Sequence, residues 1–158
     1  MATFHAPDGQ QIGIAGAAVI RLRATYPNES TANSQTRIDW AQLSFVTENL
    51  KASADAVKPE LASLREGSLP TGKPLWFNAK QATGPIRFVA ATAPGTRSAM
   101  MLAGKRQFLS NTPEELYGVI KEAGGTPVEI PSGNLMGTLR EIFSKMQESI
   151  SAPVEDWD

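Results

Sequence analysis

The sequence predicts an α+β fold, an antiparallel sheet with two or three helices in one compact domain. Three observations carry that expectation. Several short segments alternate apolar and polar residues at period two, with turn chemistry between them. Other segments place apolar residues at helical spacing behind capping residues. The chain has 158 residues, 41% apolar and 20% charged, which suits a single globular domain with a core of its own.

Taken in order, "TFHAPDGQQIGI" reads as a hairpin. Pro7 presets φ, Asp8 bonds its own backbone and Gly9 accepts positive φ, while Phe4, Ile12 and Ile14 form the apolar face. "AAVIRLRATY" reads as a half-buried strand, with Ile20, Leu22 and Ala24 turned inward and Arg21, Arg23 and Thr25 outward. Pro27 to Gln35 is a polar loop. "TRIDWAQLSFVTE" is a strand, or two short ones with an irregularity near Ala41 and Gln42. Leu50, Ala54, Val57, Leu61 and Leu64 then follow helical spacing, which Pro59 either bends or divides. Arg65 to Pro74 is the best linker candidate.

In the second half, "LWFNA" and "PIRFVAAT" are extended. Met100 and Leu102 face Phe108 and Leu109 across a hairpin at Ala103–Arg106. Thr112, Pro113, Glu114 and Glu115 form a helix start of the Thr-x-x-Glu kind, and Gly124 and Gly125 form its stop. Leu116, Val119, Ile120 and Ala123 are its buried stripe. "TPVEIP" is a short extended piece. Leu135, Leu139, Ile142, Phe143, Met146 and Ile150 predict a last amphipathic helix. The domain reading is one unit over 1–150, with halves 1–66 and 73–125 and a C-terminal helix over 134–150, followed by a flexible acidic tail over 151–158.

The halves resemble each other: "VIRLRATYPNESTANSQTRI" aligns with "PIRFVAATAPGTRSA", and "LSFVTEN" with "RQFLSNT". An internally duplicated strand-strand-helix unit would build one sheet about an approximate twofold axis. Chance likeness between two ordinary segments is the alternative. Thr96 to Ile120 resembles small bacterial regulators of the RemA and FlbD type, in which a Thr-Arg strand and hairpin lead to a helix opening with Pro-Glu. The resemblance covers only those residues and assigns no functional residue.

Composition narrows the chemistry. With no cysteine, thiolate nucleophiles, disulfides, zinc-thiolate sites and iron–sulfur ligation are excluded. With one histidine, His5, a triad would have to rest on a terminal residue, poorly fixed as a base. "TGKP" and "AGKR" lack the spacing of a phosphate loop. Glu114 and Glu115 serve helix capping rather than acid–base work. The expectation is therefore a non-catalytic protein without cofactor or metal, cytoplasmic, with no membrane span.

The charge layout is the anomaly. The formal charge is −1, yet residues 67–113 contain no Asp or Glu and carry Lys73, Lys80, Arg87, Arg97, Lys105 and Arg106. Acids dominate from Glu114 onward. Lys80, Arg87, Arg97, Lys105 and Arg106 interleave with Trp76, Phe77 and Phe88, the mixture that suits phosphates and stacked bases. Solvated strand faces, or packing against acidic helices, would produce the same pattern. Arg37 and Arg97 hold matching places in the suspected repeat and would clamp an anion together, or else pair singly with acids such as Asp39. "VEDWD" sets Trp157 among acids, as a docking peptide for a partner, as a nucleic-acid mimic lying on the chain's own basic segment, or as a disordered end.

The functional expectation is a small binding module, a homo-oligomer, contacting nucleic acid or an acidic protein through the basic segment. The alternatives are an assembly component using exposed strand edges and Trp157, and a small-molecule pocket between sheet and C-terminal helix.

Overall fold

In the computed structural model, residues 1–29, 33–88, 93–129 and 155–158 are described. The C-terminal helix expected over 134–150 lies outside these residues. The strands and helices run in the order β1 (Ala2–His5), β2 (Gln11–Ile14), β3 (Arg21–Ala24), β4 (Thr36–Asp39), β5 (Leu43–Val46), α1 (Leu50–Val57), β6 (Leu64–Ser68), β7 (Pro74–Asn78), β8 (Ala82–Gly84), β9 (Ser98–Leu102), β10 (Lys105–Leu109), α2 (Pro113–Ala123) and β11 (Thr126–Pro127). The fold is mixed, with antiparallel sheets and two α-helices among the described residues.

The first hairpin forms where the turn chemistry requires it. Gly9 sits at φ +91, the Gln10 amide donates to Asp8 Oδ1 at 2.9 Å, and Phe4 faces Ile12 across β1 and β2. Five strands in the order β5-β4-β3-β7-β6 form the main sheet, all antiparallel. A second sheet has the order β10-β9-β8-β11, with only the β8–β11 pair parallel. Expectation and structure differ here. Arg65 to Pro74 is no linker: β6 and β7 pair as a hairpin within the main sheet. A single sheet shared by two halves is not what forms either, because β7 crosses into the sheet of the first half and lies directly beside β3.

The main sheet has apolar matter on both faces. Leu22 and Ile38 are opposite each other on one face, under Phe4, Ile14, Ala54 and Val57 from the first hairpin and α1. Leu75 and Phe77 occupy the other face, against Met100, Leu102 and Leu109 of the second sheet and Leu116 and Ile120 of α2. Residues directly opposite on neighbouring strands share a face. Phe77 is opposite Arg21 and Leu75 opposite Arg23. The two arginines therefore project into the space between the sheets, where both are completely buried. Period-two alternation correctly separates Leu22 from Arg21 and Arg23, but the face it marks as outward is covered by the second sheet.

The helices end as their sequences instruct. Asn49 caps α1, accepting from the Ala52 amide at 2.8 Å; Pro59 then sits in a 3-10 turn, Lys58–Glu60, and Leu64 already belongs to β6. Thr112 accepts from the Glu115 amide at 3.2 Å, and α2 stops at Gly124, φ +85, with the Gly125 amide reaching back to the Ile120 carbonyl. The β9–β10 connection is tighter than expected. Ala103 and Gly104, at φ +49 and +87, form a two-residue turn, so Lys105 and Arg106 are strand residues with Lys105 opposite Leu102 and Gln107 opposite Met100. Lys105, Gln107 and Leu109 thus share one face of β10 and Arg106 and Phe108 the other.

The intersheet core should be energetically sensitive. Phe77→Ala is expected to cost about 3–5 kcal/mol, as a buried aromatic truncation does, read as a fall in the urea midpoint without a change of slope.

A candidate anion-binding groove

The site is built around the buried arginines of β3. A guanidinium cannot shed its charge, so burial demands acceptors and counter-ions. Arg21 Nε donates to Asp39 Oδ2 at 2.7 Å, from the residue directly opposite on β4. Its Nη1 donates to Gln107 Oε1 at 2.8 Å, on β10 of the other sheet. Gln107 is itself buried, and its amide nitrogen donates to the Phe108 carbonyl. Arg23 takes a bidentate carboxylate, Glu29, at 2.7 and 3.1 Å and lies 3.8 Å over the Tyr26 ring. The Glu29 carboxylate also accepts from the Tyr26 amide, so the loop after β3 folds back to cover the arginine.

Arg37, opposite Arg23 on β4, completes the cluster. It shares the Asp39 carboxylate at 3.0–3.2 Å and lies 3.7 Å from Glu29. Three guanidiniums thus face the two carboxylates of Asp39 and Glu29. The third carboxylate comes from the far end of the chain: Asp158 Oδ2 is 2.6 Å from Arg37 Nη1, and the Asp158 main-chain oxygen accepts from Arg21 Nη1 at 2.9 Å.

Residues 155–158 lie along the free edge of β10. The Arg106 amide donates to the Glu155 carbonyl and the Trp157 amide to the Arg106 carbonyl, each at 2.8 Å, a parallel bridge that extends the second sheet. Arg106 holds Asp156 bidentately at 2.7 and 3.1 Å. On the other face of β10, the Trp157 ring lies between Arg21 at 4.5 Å and Lys105 at 4.6 Å, and its indole N–H donates to the Leu102 carbonyl at 2.8 Å. The stretch 151–158 was expected to be a flexible tail; its last four residues are docked here, because an alternating acid–Trp–acid segment matches an edge strand with cations on both faces.

The ionisation of the cluster follows its geometry. Burial pulls the Arg21 guanidinium below its ordinary value, opposed by Asp39. For Arg37 burial acts the same way, but the bonds to Asp39 and Asp158 outweigh it and hold its value up. Burial would raise the carboxyls of Glu29 and Asp158; hydrogen bonds from Arg23 to the first and Arg37 to the second keep both below the ordinary range.

Of the residues singled out from sequence, Arg37, Lys105, Arg106 and Trp157 come together in this groove. Lys80 and Arg97 do not. Lys80 lines a separate cleft of about 550 Å³ with Glu60, Arg65, Asn78 and Glu122. Arg87 is exposed on the stretch beside β9. Arg97 is exposed just before β9, at the end of the hairpin away from Lys105, so it forms no clamp with Arg37. Asp39, which the sequence offers as a partner for Arg37, does pair with it and is buried between two guanidiniums. Arg21, Arg23, Glu29 and Gln107 were not singled out at all. The available signal was Arg-Leu-Arg in one strand and Arg-Ile-Asp in the next, whose antiparallel pairing sets a cation opposite an anion. His5 is exposed, 3.0 Å from Glu48, and no group of metal-ligating side chains occurs among the described residues. No helix among them is long and apolar enough to cross a membrane.

No protein-family model matches this chain, and no similar curated protein or solved structure was found.

Two outcomes follow from the cluster. Asp39→Asn leaves two guanidiniums without their shared carboxylate and should cost about 3–5 kcal/mol in chemical denaturation. The Asp158 carboxyl is depressed when docked, so its contribution is fully present above the usual aspartate value and is lost as pH falls through the lower, docked value. In NMR, the Trp157 indole N–H should keep its bonded shift at neutral pH and move toward a free indole's on acidification below the usual aspartate value. Asp158→Asn should show the free-like shift already at neutral pH.

Proposed function

We propose that this protein is a non-catalytic binding module whose groove along β10 takes extended anionic strands, with single-stranded nucleic acid as the external ligand. One observation carries the reading: Arg37 and Arg106 hold carboxylates on either side of an aromatic ring that lies between Arg21 and Lys105. Phosphates flanking a stacked base present the same charges and the same π-face. Phe108 supports it, stacking edge-on with Phe88 at 6.2 Å and lying 4.8 Å from the Arg106 guanidinium, a further ring and cation on the outer side of β10. On this reading residues 155–158 are a resident competitor.

A second reading, assembly through strand edges, is favoured by the main-chain pairing of residues 155–157 with β10, which a nucleotide strand cannot reproduce. We also propose that the two halves arose by duplication. The support is the order they share, a Thr-Arg pair, a hairpin and a side-chain-capped helix, in β4–β5–α1 and in β9–β10–α2.

Fluorescence anisotropy with labelled single- and double-stranded oligonucleotides tests the main reading. Expected are salt-sensitive binding of single strands, at least about tenfold weakening by Lys105→Ala/Arg106→Ala, and tightening when residues 155–158 are removed. Absence of binding at low salt by the chain lacking residues 155–158 would overturn it.

A further inference from the structure

We infer that the groove along β10 is also a self-assembly site, filled in trans by residues Glu155–Asp158 of a second copy of this chain. The inference uses the same groove as the proposed function but does not depend on nucleic acid entering it.

The contacts that hold the segment are specific for a peptide and indifferent to which molecule supplies it. Two are main-chain bonds to Arg106, on an edge strand whose other side is already paired with β9. A free edge of this kind accepts an added strand from its own chain or a neighbour's on equal terms. The remaining contacts give selectivity. Asp156 meets Arg106, Asp158 meets Arg37, and the Trp157 ring with its indole N–H fits between Arg21, Lys105 and the Leu102 carbonyl. A segment of this pattern is present in every copy.

Reach permits the exchange. The segment is joined to the body after Val128, whose amide bonds Gly84 beside β11, at the edge of the second sheet opposite β10. Four interstrand spacings, about 19 Å, separate β11 from the added strand. Residues 130–154 are 25 residues long, and even with the helix the sequence predicts over 134–150 they reach about 50 Å, more than twice that gap, so a neighbour's groove is within range. Release is not prohibitive: the Arg106–Asp156 and Arg37–Asp158 pairs have partly exposed partners, and such pairs contribute little individually. With a net charge of −1, two copies do not repel each other appreciably. Reciprocal donation satisfies both grooves and closes a twofold pair.

Complementation between two full-length variants tests this. Trp157→Ala/Asp158→Ala keeps the groove and disables the segment; Lys105→Glu/Arg106→Glu keeps the segment and disables the groove, with circular dichroism confirming that each is folded. Sedimentation velocity over about 10 µM to about 1 mM, a range that spans typical effective concentrations for a tethered segment, should show the wild type dimerising and each variant remaining monomeric. An equimolar mixture should recover a heterodimer. A synthetic peptide of residues 153–158 should bind the Trp157→Ala/Asp158→Ala chain. Peptide binding with a monomeric wild type and no heterodimer would overturn the trans assembly while leaving the groove a receptor for acidic strands. Dimerisation that persists in both variants would overturn it by placing the interface elsewhere. Absence of peptide binding together with absence of a heterodimer would overturn it at the groove itself, independently of the oligonucleotide result.

Discussion

Burial of two arginines on one central strand is the constraint from which the rest of the site follows. Arg21 and Arg23 are fully buried, Arg21 against the second sheet and Arg23 beneath the loop after β3, and desolvating a guanidinium is tolerable only where carboxylates and carbonyls replace water. Asp39 on β4 and Glu29 on the loop after β3 supply that, Gln107 reaches from the second sheet, and Asp158 supplies the remaining charge. The cluster ties β3, β4, β10 and the end of the chain into one electrostatic unit. A hydrophobic pair in place of Arg21 and Arg23 would pack the same space but would give the groove no polarity.

The second constraint is the unpaired edge. The main sheet places β3 at its centre, so the arginines are shielded by strands on both sides, whereas β10 borders the second sheet and leaves a row of backbone groups without strand partners. Residues 155–157 occupy that row. Edge protection, charge neutralisation and partial indole burial are thus accomplished by one four-residue segment, and whatever displaces it must satisfy the same demands or leave Arg37 and Arg106 without their carboxylates.

Much of the local structure was legible from residues. The Pro-Asp-Gly turn, the Thr112 cap, the double-glycine stop and the division of the first helix at Pro59 are decided within a few residues of chain, by φ preferences and by side chains that bond neighbouring amides. Trp157 and the Lys105–Arg106 pair stood out by composition, and they do meet. Arg97 and Lys80 stood out equally and lie apart, because residues in one acid-free segment share a composition without sharing a face.

Alternation along β3 fixes that Leu22 and the two arginines point oppositely, and this follows from the sequence alone because backbone pleating has period two. What covers each face does not. The placement of β7 beside β3, the second sheet over Arg21, and the docking of Asp158 on Arg37 join residues separated by tens of positions, up to 137 between Arg21 and Asp158. Those pairings depend on which faces remain to be buried once every strand is placed, a property of the assembled layers, and so only the tertiary structure decided that a strand read as half-exposed carries the buried charges of the site.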